Sequence, residues 1–178
     1  MILELVDRRR QPDPRLTAEE LALLQRICAL AGRRAWSCDL VLADDAEVAA
    51  LNAKFRRTDG VTDVLSFSYL TGEGEGPPAL AAGESYARQD LWRDPCTDAH
   101  DATVGEVVLA PSFVVRQCRE RGWPYLDEIA LLTVHGVLHV LGWTHATTSD
   151  RKAMQKLEQE LLTREGIAHP ILKGEIRN

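Results

Sequence analysis

The pattern that most constrains this chain is His135-Gly-Val-Leu-His139-Val-Leu-Gly142-Trp-Thr-His145, which places three of the five histidines within eleven residues. It lies at the end of a run opened by Pro124 and carried through Leu126, Ile129, Leu131, Leu132, Val137, Leu138 and Leu141. Such a run is apolar on nearly every side and predicts a central helix. His135 and His139 stand four apart, so their rings leave one face of that helix together. Gly142 permits a left-handed turn that ends the helix and brings His145 back to the same point.

The spacing H-x-x-x-H-x-x-G-x-x-H is therefore read as a three-ligand metal site. Three neutral imidazoles suit zinc, although nickel, copper or iron would also bind. Three protein ligands leave a fourth position for water, as in catalytic rather than structural zinc sites. The plainer reading is a core helix with two satisfied histidines. Three at ligand spacing around a glycine turn, where an unpaired imidazole is costly, favour the metal. Metzincin peptidases share the spacing but place a glutamate base directly after the first histidine. Here that position is Gly136, which cannot abstract a proton.

The remaining patterns predict an α/β (α+β) chain built as a single domain over residues 1–178. Ile2 to Val6, Cys38 to Ala43, Thr62 to Ser68 and Gly105 to Ala110 read as strands. Thr17-x-x-Glu20 is a capping box for a helix that runs to about Ala31, where Gly32 supplies the stop. Asp44 or Asp45 opens a second helix through Val48, Leu51 and Phe55; Pro111-Ser112 opens a third that ends near Gly122. An amphipathic last helix starts around Thr148 to Asp150, carries Met154, Leu157 and Leu161 on one face, and stops at Gly166. Residues 70–103, dense in glycine and proline, read as a long acidic surface loop.

Apolar residues at 45% and charged residues at 27% place the chain in the globular range. No run approaches the roughly 18 apolar residues of a membrane span, and the N-terminus lacks a signal-peptide pattern, so a cytoplasmic protein is expected. Cys28, Cys38, Cys96 and Cys118 form no C-x-x-C pair and are read as reduced thiols. The net charge of −6 argues at first against a polyanionic partner. Between Ser68 and Val104, however, seven acidic residues face only two basic ones, so most of the negative charge is local. Lys54-Phe55-Arg56-Arg57 lies outside that segment, which leaves nucleic acid open as a substrate.

Three blocks together resemble the YbeY family of bacterial endoribonucleases, also called rRNA maturation factors. The histidine block matches the family's H-G-x-L-H-L-x-G-Y-D-H, with all three ligands and both glycines in register. Leu51-Asn-Ala-Lys-Phe-Arg56-Arg-Thr-Asp59-Gly-Val-Thr62-Asp-Val-Leu-Ser66-Phe67 is similar to L-N-x-x-[YF]-R-x-x-D-x-x-T-[DN]-V-L-S-F, and Gly105-Glu106-Val resembles a G-[DE]-I strand. The resemblance covers most of residues 37–165. Val61 replaces the family's usual proline, Val140 a leucine, and Trp143-Thr144 a Tyr-Asp pair.

The resemblance implies a small mixed sheet packed by helices and one Zn2+ held by His135, His139 and His145. It marks Arg56 and, through the metal, His135 as the catalytic residues. Without it, Arg56 is a helix-end arginine whose ordinary fate is a surface ion pair with Asp59 or Glu20. Asp59, Thr62, Asp63 and Ser66 read as turn and capping residues. The implied activity is single-strand-specific RNA cleavage in rRNA maturation at the 16S 3′ end, in ribosome biogenesis and quality control, with rRNA and a small-subunit ribosomal protein as partners and no membrane. Either water or the RNA 2′-hydroxyl serves as nucleophile. The competing readings are a non-catalytic ribosome-assembly factor with a structural zinc, and a zinc peptidase. Cys96 and His100 lack partner spacing for a metal, and His169 is expected to be solvent-exposed.

Overall fold

In the computed structural model, which describes residues 1–31, 36–70 and 102–170, the strands Ile2–Asp7 (β1), Trp36–Leu42 (β2), Val64–Ser68 (β3) and Ala102–Leu109 (β4) form one mixed sheet in the order β1-β2-β4-β3. β1 and β4 both run parallel to β2, and β3 pairs antiparallel to β4 at the edge. The two central strands have buried residues on both faces, Leu40, Val41 and Leu42 in β2 and Val107, Val108 and Leu109 in β4. Burial on both sides is what continuous Val/Leu runs provide for.

Among the described residues five helices pack around this sheet: Ala18–Ala29 (α1), Asp45–Leu51 (α2), Pro111–Arg121 (α3), Tyr125–Val140 (α4) and Thr148–Arg164 (α5). Thr17 and Glu20 form the predicted capping box of α1, and Thr147 and Asp150 form another at α5. α4 packs on β3 and β4 and is flanked by α1, α3 and α5. From Glu128 to Val140 every residue of α4 is buried except His135 and His139. Among the described residues no helix is long and apolar enough to cross a membrane.

Two glycines set how closely α4 approaches the sheet. A Cβ on Gly136 would stand 2.5 Å from Val107 Cγ1, and one on Gly105 would stand 2.3 Å from the Phe67 carbonyl oxygen and 2.7 Å from Val140 Cγ1. The helix and β4 thus meet backbone to side chain, which only glycine permits. The Ser68 hydroxyl donates to the Val140 carbonyl at 2.8 Å, tying the edge strand to the C-terminus of α4.

Several expectations change. α2 continues into a π-helical turn over Asn52–Arg56, closed by Arg57 in the left-handed region at φ 55°. A π turn advances less per residue than an α turn, so Phe55 drifts off the apolar stripe of Val48 and Leu51 and is 55% exposed. β4 begins at Ala102, so the last two residues of the expected acidic loop belong to the sheet. Residues 71–101 of that loop, with Cys96 and His100, lie outside the described residues, as does the helix stop at Gly32. His169 is not solvent-exposed. It is fully buried, with Nε2 2.6 Å from the equally buried Glu128 carboxylate and its ring edge-on to Trp123 at 5.0 Å. A carboxylate on the inward face of α4 gives a buried imidazole the partner that burial demands.

Candidate metal centre

The centre is built at the C-terminal end of α4. Leu141 closes the helix, Gly142 takes φ 89°, and the amides of Trp143 and Gly142 donate to the carbonyls of Leu138 and His139 at 2.9 and 3.0 Å. This pair of crossed bonds is a Schellman turn, and it reverses the chain so that His145 faces the helix it has just left.

The three rings converge through their Nε2 atoms. His139 Nε2 lies 3.1 Å from His135 Nε2 and 3.1 Å from His145 Nε2, and one nitrogen from each of the three falls within a 4.8 Å group. The other ring nitrogen fixes the tautomer of two of them. His139 Nδ1–H donates to the Trp143 carbonyl at 2.8 Å, and His135 Nδ1–H donates to Glu158 Oε1 at 2.7 Å. A carbonyl can only accept, so the neutral His139 ring must carry its proton on Nδ1 and present a bare lone pair at Nε2.

Bare lone pairs 3.1 Å apart repel, and one Nε2 cannot accept from two neighbours at once. A cation resolves this arrangement. Four ligands placed tetrahedrally at about 2.0–2.1 Å from an ion stand roughly 3.3 Å from one another, close to the spacing seen here. The three histidines could therefore hold a metal ion. Burial, reinforced by the neighbouring His135 and His145, pushes the His139 imidazole down to about 4; burial and His135 also lower His145. Neutral imidazoles are the ligating form.

Arg56, at the exposed end of the π turn, is brought to the same region. After burial and the neighbouring rings, its positive charge is among the causes that lower His139 and His145. Among the described residues it pairs with neither Asp59 nor Glu20. Asn52, buried inside the turn, donates from Nδ2 to the Gly60 carbonyl at 3.0 Å and so holds the loop after Arg56 against α2. Asp63 accepts from the Val64 amide at 2.9 Å and from the Thr62 hydroxyl at 3.2 Å, the turn chemistry expected of both.

Two contributors had no individual sequence signal strong enough to name them. Glu158 reaches His135 from α5, across 23 residues of chain. Its hint was a charged residue four positions after Met154, on the buried face of an amphipathic helix. The Trp143 carbonyl is a backbone group and leaves no trace in residue type. Neither partner depends on residue 144, so the exposed Thr144 leaves both hydrogen bonds in place.

Known proteins resemble this chain along most of its length. A family model described as Endoribonuclease YbeY matches residues 13–166. Proteins named endoribonuclease YbeY include one of Acidothermus cellulolyticus, 40% identical over 70% of this chain and 67% of its own length, and one of Desulforamulus reducens, 37% identical over 72% and 71%. A third, from Methylocella silvestris, is 32% identical over 86% of this chain and 74% of its own. The solution structure of a Thermotoga maritima protein shares the fold at a TM-score of 0.50 and 18% identity, covering 92% of this chain and 91% of that one. A match across most of the chain, joined to the convergent histidines, makes this protein a member of the endoribonuclease YbeY family.

Proposed function

We propose that this protein is a zinc-dependent, single-strand-specific endoribonuclease of the cytoplasm that acts in rRNA maturation at the 16S 3′ end, and so in ribosome biogenesis and quality control. The observation that carries the reading is the meeting of three Nε2 atoms at one point, beside an arginine with no carboxylate partner among the described residues. His135, His139 and His145 are the zinc ligands.

When bound, zinc supplies a Lewis acid and lowers the pKa of a coordinated water toward about 7. The chain's own residues do the rest. Glu158 orients His135 and raises its donor strength, the usual role of a carboxylate behind a ligating imidazole. The Trp143 carbonyl does the same for His139. Arg56 meets the non-bridging oxygens of the scissile phosphate with a planar fork, where charge grows in the transition state. A lysine there would offer only a point charge. Arg56 and His135 are accordingly assigned the catalytic roles.

The competing assembly-factor reading keeps the zinc and a small-subunit ribosomal protein partner but makes no use of Arg56. The peptidase reading loses its base for a steric reason: Val107 leaves no room for any side chain at position 136. Timed cleavage of labelled single-stranded RNA by wild type, Arg56→Ala and His139→Ala, purified identically, tests the proposal. Loss of cutting in both variants, with zinc retained in Arg56→Ala, supports it. Equal cutting by all three would assign the activity to contamination and favour the assembly factor.

A further inference from the structure

The exposed ring of Phe55 is left without a role by the metal centre and by the core. It stands 55% exposed on the π turn, in edge-to-face contact with Phe67 at 5.1 Å and 71°, with the Lys54 ammonium 5.0 Å from its centroid. A single exposed aromatic is ordinary on a protein surface. This one sits within four consecutive residues that also carry Lys54, Arg56 and Arg57, all exposed, and none of the three cations has an ion-pair partner among the described residues.

Its position is fixed rather than incidental. Asn52 anchors the turn from inside, Arg57 ends it in the left-handed region, and Phe67 supports the ring from the edge strand. One residue further along that strand, Ser68 is bonded to Val140, which adjoins the ligand His139. The aromatic ring, the cations and the histidine cluster thus follow one another around the β3 edge of the sheet.

We propose that Phe55 is a stacking platform for a nucleobase of single-stranded RNA lying across the β3 edge, with Lys54 and Arg57 meeting the phosphates on either side of that base. The proposal rests on the endoribonuclease reading for its ligand. An aromatic face among cations suits single strands, because every base has a π-face and only an unpaired base can leave its own stack. It gives affinity with little sequence preference. A protein partner would be expected to bring carboxylates to three cations and an apolar pocket to the ring; a ring with cations on both sides along one turn matches base and phosphate instead.

The test uses the zinc-loaded full chain and a short 2′-O-methyl oligoribonucleotide carrying 2-aminopurine, with binding followed by anisotropy and stacking by fluorescence quenching. Phe55→Leu keeps apolar contact with Phe67 but has no π-face, and Phe55→Trp keeps the face. Phe55→Leu is expected to weaken binding about tenfold with an unchanged salt slope, and Phe55→Trp to stay within about twofold of wild type and to quench. Lys54→Gln is expected to lower the salt slope by about 1. Wild-type affinity in Phe55→Leu, or equal loss in the Leu and Trp variants, overturns the platform, as does loss of a protein partner with oligonucleotide affinity unchanged. If wild type binds with the predicted Phe55 dependence yet cuts no RNA, stacking stands and the endoribonuclease reading fails. If wild type cuts RNA and Phe55→Leu binds normally, only the platform falls.

Discussion

The Glu158 carboxylate on α5, its side chain 7% exposed, lies 2.7 Å from Nδ1 of His135 on α4, so a buried carboxylate stands behind the ring whose Nε2 faces the histidine cluster. The contact joins two helices and orients the His135 ring at once. Glu158→Gln keeps an acceptor but removes the charge, and is expected to weaken metal binding about 10- to 100-fold. Competition with a chromophoric chelator measures this, with circular dichroism confirming the fold. Unchanged affinity would show that the contact serves helix packing alone.

Gly136→Ala tests the approach of α4 to β4. In an exposed helix the exchange would stabilise by about 1 kcal/mol. Here the new methyl would lie 2.5 Å from Val107 Cγ1, so net destabilisation of about 1–3 kcal/mol is expected, read from urea unfolding. Adding Val107→Ala should recover part of the loss by making room. A stabilised single variant would mean that the helix can shift outward without penalty.

The histidine triad was legible because its logic is local: i, i+4 spacing on one helix and a glycine turn need no knowledge of the rest of the chain. The capping residues Thr17 and Glu20 and the strand expected from Cys38 to Ala43, found at Trp36–Leu42, were legible for the same reason. What failed was tertiary or non-standard in period. Phe55 fell in line with Val48 and Leu51 because α-helical spacing was carried through a segment that adopts a wider turn. His169 looked exposed because its partner, Glu128, lies 41 positions earlier in the chain on the inner side of α4. The antiparallel placement of β3 beside β4, which brings Ser68 to Val140, follows from no feature of either strand alone.

The thiols carry a pH prediction. Burial pushes Cys38 up to about 12 and Cys118 up to about 11, and raises Cys28 further, from an ordinary value of 9.0. The unfolded chain releases these protons near 9 while the folded chain keeps them, so above that pH the unfolded state binds fewer protons. Stability is then full below about pH 9 and falls as pH rises toward 12. Urea midpoints at pH 8, 9.5 and 10.5 should decline in that order. At pH 8 the same three thiols should react with a disulfide reagent far more slowly in native than in denatured protein; fast native reaction at Cys38 would contradict its burial.

Gly142 links the turn to the centre more directly than any ligand-adjacent residue. At φ 89° it closes the Schellman turn that aims the Trp143 carbonyl at His139 and returns His145 to the helix. Gly142→Ala forces a Cβ into the left-handed region, with an expected loss of about 1 kcal/mol in stability. The larger effect should fall on the metal, because any relaxation of φ moves two of the three ligands: His139 through its Nδ1 partner and His145 through the chain direction. Metal affinity should therefore drop by more than the tenfold that about 1.4 kcal/mol represents, even where the helix itself survives. Gly142→Asn, which tolerates the left-handed region better, should lie between alanine and wild type in both measurements. If alanine lowers stability but leaves chelator competition unchanged, His145 is placed by contacts beyond the turn, and the glycine serves only to stop the helix.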